Sequence, residues 1–157
     1  MIPSFHLAQI NVARAKAPLD DPLLAEFMAQ LDRINGLADQ SPGFVWRLQS
    51  ESGNATDILV SEDPCLLVNL SVWSSVEALF DFVYKTGHSG VMARRKDWFE
   101  PFGRPYLALW WVLAGQRPSV EEAMARLDLI AEQGPGPEAF TFKRRFNPIQ
   151  SVELVQQ

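Results

Sequence analysis

A chain of 157 residues, 47% hydrophobic and 21% charged, has the balance of one globular domain, or of one domain with an appendage, and can bury a sizeable core. Its formal charge of -5 argues against general phosphate-backbone binding, which needs a basic surface. With Cys65 as the one cysteine and His6 and His88 as the two histidines, neither an intramolecular disulfide nor a Cys/His zinc pattern can be built.

The N-terminal MIPSFHLAQI lacks the basic n-region and long apolar core of a signal peptide. No apolar run approaches the roughly 20 residues of a membrane span. The expectation is a soluble cytoplasmic protein with no nucleic-acid and no membrane partner. The basic clusters Arg94-Arg95-Lys96 and Lys143-Arg144-Arg145 read as solvated faces.

In chain order, residues 5–14 read as a first strand, with Ala8, Ile10 and Val12 on one parity and Phe5, Leu7, Gln9 and Asn11 on the other. Asp21 is a good N-cap and Pro22 suits the first helical position. Leu24, Phe27, Met28, Leu31 and Ile34 then follow at helical spacing, and Ser41-Pro42-Gly43 stops the helix. FVWRLQ, residues 44–49, alternates as a second strand. Gly53-Asn54 marks a turn in the polar stretch after it. LLVNLSVW, residues 66–73, is the third strand. Ser74 with Glu77 forms a capping box for a helix expected to bury Val76, Leu79, Phe80 and Val83. That helix breaks near Gly87, and a second piece starts near His88, aligning Val91, Met92, Arg95 and Trp98. YLALWWVL, residues 106–113, is a fourth strand, apolar on both faces and therefore expected to be covered on both. Ser119 with Glu122 caps a last amphipathic helix through Val120, Ala123, Met124, Leu127 and Ile130, ending at Gly134. Ala139 to Phe146 alternates as an edge-strand candidate. The division expected is a domain over 1–135 and a C-terminal extension over 136–157.

This β-α-β-β-α-β order is the signature of a ferredoxin-like, α+β fold: an antiparallel sheet with helices on one face. The parity set Ala8/Ile10/Val12, Phe44/Trp46/Leu48 and Val68/Leu70/Val72 is assigned to the helix-facing side. The opposite set, Gln9 and Asn11, Arg47 and Gln49, and Asn69, Ser71 and Trp73, is mixed. One of Trp110 and Trp111 must join it, the parity of that strand being open. A mixed, amide-rich face reads either as a partly solvated or subunit-covered surface, or as a pocket lining in which a few polar groups orient a ligand among apolar walls. A covered face, with a dimer making the cover, is the favoured expectation.

HLAQINVAR, DPLLAEFMAQLDRINGLAD, GFVWRLQ, LLVNLSVW with its capped helix, and PYLALWW together resemble a bacterial family of domains of unknown function, similar in turn to the dimeric α/β-barrel superfamily that includes the antibiotic-biosynthesis monooxygenases. The resemblance covers roughly residues 5–135. It implies a homodimer whose two sheets pack into a shared α/β barrel, with a cavity in each subunit. It also implies small-molecule handling, with a cofactor-independent monooxygenase acting on an aromatic or hydrophobic compound as one option. A non-catalytic ligand-binding or structural dimer is the alternative, and whether catalysis occurs is left open.

His88 is the candidate catalytic residue, able to move a proton near neutrality or to ligate haem iron. The competing reading is a helix cap. No metal site and no cofactor are expected, haem at His88 being the one exception considered. Asn11, Arg47, Asn69 and Trp73, with His88 and Trp98, are the candidate ligand-binding residues, since amide and indole donors could polarise a carbonyl or phenolate. Strand-to-strand hydrogen bonding across the dimer interface explains the amides at least as well, and core packing explains the tryptophans. There is no Walker or Rossmann glycine loop and no GxSxG elbow.

Overall fold

The computed structural model describes residues 4–18, 20–48, 65–87, 95–101 and 103–148. His88, the Gly53-Asn54 turn and the start of the second helical piece lie outside them. Strand β1 (Phe5–Ala15) leads through a 3-10 turn (Pro22–Leu24) into helix α1 (Ala25–Asp39). The Asp21 side chain accepts from the Leu23 amide at 2.9 Å, with Pro22 at the position where a missing N–H costs nothing. Strands β2 (Phe44–Arg47) and β3 (Leu66–Trp73) precede helix α2 (Val76–Gly87). One helical turn (Arg95–Trp98) runs into the short strand β4 (Phe99–Glu100), and β5 (Leu107–Leu113) and helix α3 (Val120–Gln133) follow.

The five strands form one sheet in the order β2-β3-β1, with β5 and β4 sharing the other edge of β1. Every pairing among them is antiparallel. Directly opposed residues share a face, so the register decides what each face carries. Leu7, Gln9 and Asn11 stand opposite Trp73, Ser71 and Asn69 on one side, and opposite Trp111, Leu109 and Leu107 on the other. The alternate parity brings Ala8, Ile10 and Val12 together with Val72, Leu70 and Val68 and with Trp110 and Ala108.

Two features of the expected fold are corrected here. Helices do not lie on one face. The apolar parity set is covered by α3, whose Ala123, Leu127 and Ile130 pack on Ala8, Ile10, Leu70 and Trp110. Helices α1 and α2 lie on the mixed face, where Ala38, Val76 and Leu79 meet Leu7, Trp73 and Leu109, and where Leu24 and Phe27 meet Ala15, Ala13 and Leu67. Strand parity separates two sets of side chains, but it does not say which helix covers which set. Nor is the sheet closed into a barrel. It is open, and the apolar face on which a partner's sheet would have to pack is occupied by this chain's own α3. The α+β class and the antiparallel sheet remain; the dimeric α/β barrel does not.

Two local details also differ from expectation. The α2 cap is Ser75, whose Oγ accepts from the Ala78 amide at 3.0 Å. Ser74 instead donates its backbone N–H to the Gly43 carbonyl at 2.7 Å. Phe80 and Val83 are 39% and 43% exposed, because the side of α2 that packs against the sheet is carried by Val76, Ala78, Leu79 and Phe82. Phe80 packs on Tyr84, Phe142 and the Arg145 guanidinium outside the core.

Past α3 the chain returns along the outer edge of β5. Leu109 and Phe140 exchange both backbone hydrogen bonds, each 2.8 Å. The Trp111 indole N–H donates to the Phe146 carbonyl at 2.8 Å. Phe140 is thereby fully buried on the α1/α2 face.

Candidate functional site

Helices α1 and α2 cover the mixed face, so that Gln9 and Ser71 are buried and Asn11 and Asn69 are half-buried. Between that face and the two helices lies a cavity of about 410 Å3. Its floor is the polar strip Gln9, Asn11, Asn69 and Ser71 from β1 and β3. Its walls are apolar and largely aromatic: Phe27 and Leu31 from α1, Leu79 and Phe82 from α2, Phe44, Trp73 and Phe99 from the strands, and Phe142 from the returning segment. Trp73 holds the aromatic wall together, with Phe44 edge-on at 5.4 Å and Phe82 at 5.1 Å between ring centroids.

The floor is a connected hydrogen-bond ladder centred on Gln9, which is 3% exposed. Gln9 Nε2 donates to Asn69 Oδ1 at 2.6 Å and to Ser71 Oγ at 2.7 Å. Asn11 Nδ2 donates to Gln9 Oε1 at 3.0 Å. The Trp73 indole N–H donates to Ser71 Oγ at 2.9 Å. The antiparallel register makes this possible, since residues two apart on β1 point to one side and each meets its partner on β3. Buried amides of this kind are tolerated because each finds partners.

Arg47, at the end of β2, also lines the cavity. Its guanidinium grips the carboxylate of Asp39 at the end of α1 in a forked pair, Nε to Oδ1 at 2.8 Å and Nη2 to Oδ2 at 3.2 Å. That pair joins the end of α1 to β2 and neutralises the charge nearest the cavity. Asn35, 8% exposed, is the amide on the α1 wall. Among the described residues that line the cavity there is no carboxylate, imidazole, thiol or amine. Among the described residues there is likewise no group of His, Cys, Asp and Glu that could hold a metal ion.

Of the residues singled out from the sequence, Asn11, Arg47, Asn69 and Trp73 are brought together on this cavity. Trp98 is not. It is 1% exposed and packs on Phe27 at 5.5 Å in the cluster behind that ring. His88 lies outside the described residues. Gln9 and Ser71 carry the ladder although the sequence reading treated them only as members of a face. Asn35 was missed, although its helical spacing from Leu31 and Phe27 puts an amide on an apolar stripe. Phe142 comes from the segment expected to form a C-terminal extension, and only the pairing of Phe140 with Leu109 brings it to the cavity.

Over residues 6–154 the sequence matches DUF3291, described as a domain of unknown function. The chain belongs to the DUF3291 family. No curated protein matches it. Among solved structures it is similar to SnoaB, a cofactor-independent oxygenase from Streptomyces nogalater, at 17% identity over 74% of this chain and 98% of that one, with a TM-score of 0.42. It is also similar to a protein from Nitrosomonas europaea described as an antibiotic biosynthesis monooxygenase, at 16% identity over 74% of this chain and 93% of that one, with a TM-score of 0.41. Among the described residues of this DUF3291 chain, no helix is long and apolar enough to cross a membrane.

Proposed function

We propose that this DUF3291 domain binds an uncharged, aromatic or largely apolar small molecule between its sheet and helices α1 and α2. The observation that carries this reading is the cavity itself: about 410 Å3, aromatic on its walls, with one strip of neutral amide and hydroxyl groups on its floor. That volume and that mixture are typical of small-molecule sites, where apolar walls supply affinity and a few polar groups supply orientation. The charge nearest the site, Arg47, is engaged by Asp39, so a ligand need bring no counter-charge. The cofactor-independent oxygenase chemistry implied by the sequence resemblance asks in addition for groups that activate the bound compound, and binding requires none.

Titration calorimetry with 2-naphthol tests the proposal, comparing the natural chain with Leu31→Trp, which fills the cavity from its α1 wall. Saturable binding of one molecule per chain, weakened at least about tenfold in the folded variant, is expected, since about 1.4 kcal/mol of lost contact suffices. Absence of saturable heat, or equal affinity in the two proteins, would sink the reading.

A further inference from the structure

We infer that the ligand of this cavity carries a hydrogen-bond donor beside an acceptor on one edge, as an amide or lactam does. This rests on the small-molecule reading above and names the chemical class. Asn11 and Asn69 are directly opposed across β1 and β3 and both line the cavity. Each gives one side of its amide to Gln9. Asn11 uses a hydrogen of Nδ2, and Asn69 uses Oδ1. The other side of each amide, Asn11 Oδ1 and Asn69 Nδ2, has no bond to any described residue. An acceptor and a donor therefore stand side by side on the floor of a largely apolar chamber. Left unanswered against an apolar ligand, both would lose their water without replacement.

The pairing survives the one ambiguity that amides carry, the interchange of their O and N ends. If the amides of Gln9, Asn11 and Asn69 turn over together, Gln9 Oε1 accepts from Asn69 Nδ2 and from the Ser71 hydroxyl, and Gln9 Nε2 donates to Asn11 Oδ1. Ser71 still accepts from Trp73, whose indole N–H can only donate. The free groups are then Asn11 Nδ2 and Asn69 Oδ1. In either state the floor shows one donor and one acceptor, and turning the ladder over only exchanges their places. A lactam edge is matched in both states. A group that only accepts, or only donates, answers half of the floor in either state. The neutral ladder also disfavours a carboxylate or a phosphate, since Arg47, the one cation among the described lining residues, is already paired with Asp39.

The test compares 2-quinolone, whose ring N–H and C=O are adjacent, with N-methyl-2-quinolone, which keeps the ring and the carbonyl and loses the donor. Calorimetry on the natural chain should show the methylated compound binding about tenfold more weakly, the usual scale for a buried polar group deprived of its partner. In Asn69→Leu and in Asn11→Leu, measured separately, the ratio between the two compounds should fall to about twofold or less. Equal binding of the two quinolones to the natural chain overturns the inference, as does a ratio that persists in both variants. If 2-naphthol binds while the quinolones do not differ, this inference fails and the cavity reading stands. If no compound binds, both fail. The comparison on the natural chain needs no variant, so a variant that does not fold leaves it decisive.

Discussion

Replacing Gly43 by alanine probes the joint that holds α2 over the sheet. Gly43 has φ of +83°, and a Cβ added there would sit 2.5 Å from Ala78 Cβ and 2.7 Å from Ser74 Oγ. Ala78 belongs to α2, and Ser74 is tied to the Gly43 carbonyl by its backbone N–H. Two costs add. A residue with a side chain in the left-handed region costs about 1–2 kcal/mol. A methyl forced into a contact that real Cβ atoms do not make costs about 1–3 kcal/mol. The expected loss is about 2–5 kcal/mol, a large share of the roughly 5–15 kcal/mol that keeps a domain of this kind folded. In a urea titration with m about 2 kcal/mol/M, the midpoint should fall by about 1–2.5 M with m unchanged. Ala78→Gly in the same chain removes the closer of the two obstacles and leaves the backbone strain. The double variant should therefore be less destabilised than the sum of the single variants. A midpoint shift below about 0.5 M would refute the reasoning, as would additivity within about 0.5 kcal/mol.

Two further outcomes are expected. Gln9→Leu removes the centre of the buried ladder at nearly constant volume. It should cost about 1–3 kcal/mol by chemical denaturation, because Asn69, Asn11 and Ser71 each lose a bond at about 1 kcal/mol while the leucine recovers some apolar burial; a stabilised variant would mean that the ladder is not formed. At the start of α2, Ser75→Ala should lower stability by about 1 kcal/mol, the usual value of an N-cap. Ser74→Ala should change it by less than about 0.5 kcal/mol, its bond to Gly43 being made by the backbone. Reversed magnitudes would place the cap where the sequence pattern puts it.

Much of the site is legible in the sequence once strand parity is taken seriously. The alternation in FHLAQINVAR puts Gln9 and Asn11 on one side of their strand, and that in LLVNLSVW puts Asn69, Ser71 and Trp73 on one side of theirs, because successive side chains on a strand point to opposite sides; the register between the strands then brings the two sets together. The assignment of helices to faces failed for a reason contained in the same pattern. A set such as Ala8, Ile10 and Val12 must be covered, yet three amphipathic helices were available to cover it, and α3 has its own matching stripe of Ala123, Leu127 and Ile130. Helical spacing points Phe80 and Val83 inward, and spacing does not reveal which arc of α2 the sheet covers. Phe142 reaches the cavity through a chain reversal and the pair of hydrogen bonds at Leu109 and Phe140, a contact between residues far apart in sequence that no local pattern announces.

Taken alone, the order of residues settles the elements, their alternation and the presence of an amide-rich strand face, since these follow from backbone geometry and from the pairing of neighbours along one chain. The packing of distant segments settles the rest. It decides that α1 and α2 roof the amide face while α3 takes the apolar one, that the sheet stays open, and that Asn11, Gln9, Asn69 and Ser71 meet at hydrogen-bond distance beneath an aromatic chamber. Those outcomes depend on which apolar stripe reaches which sheet face and on the register between strands 60 residues apart, and both are properties of the folded whole.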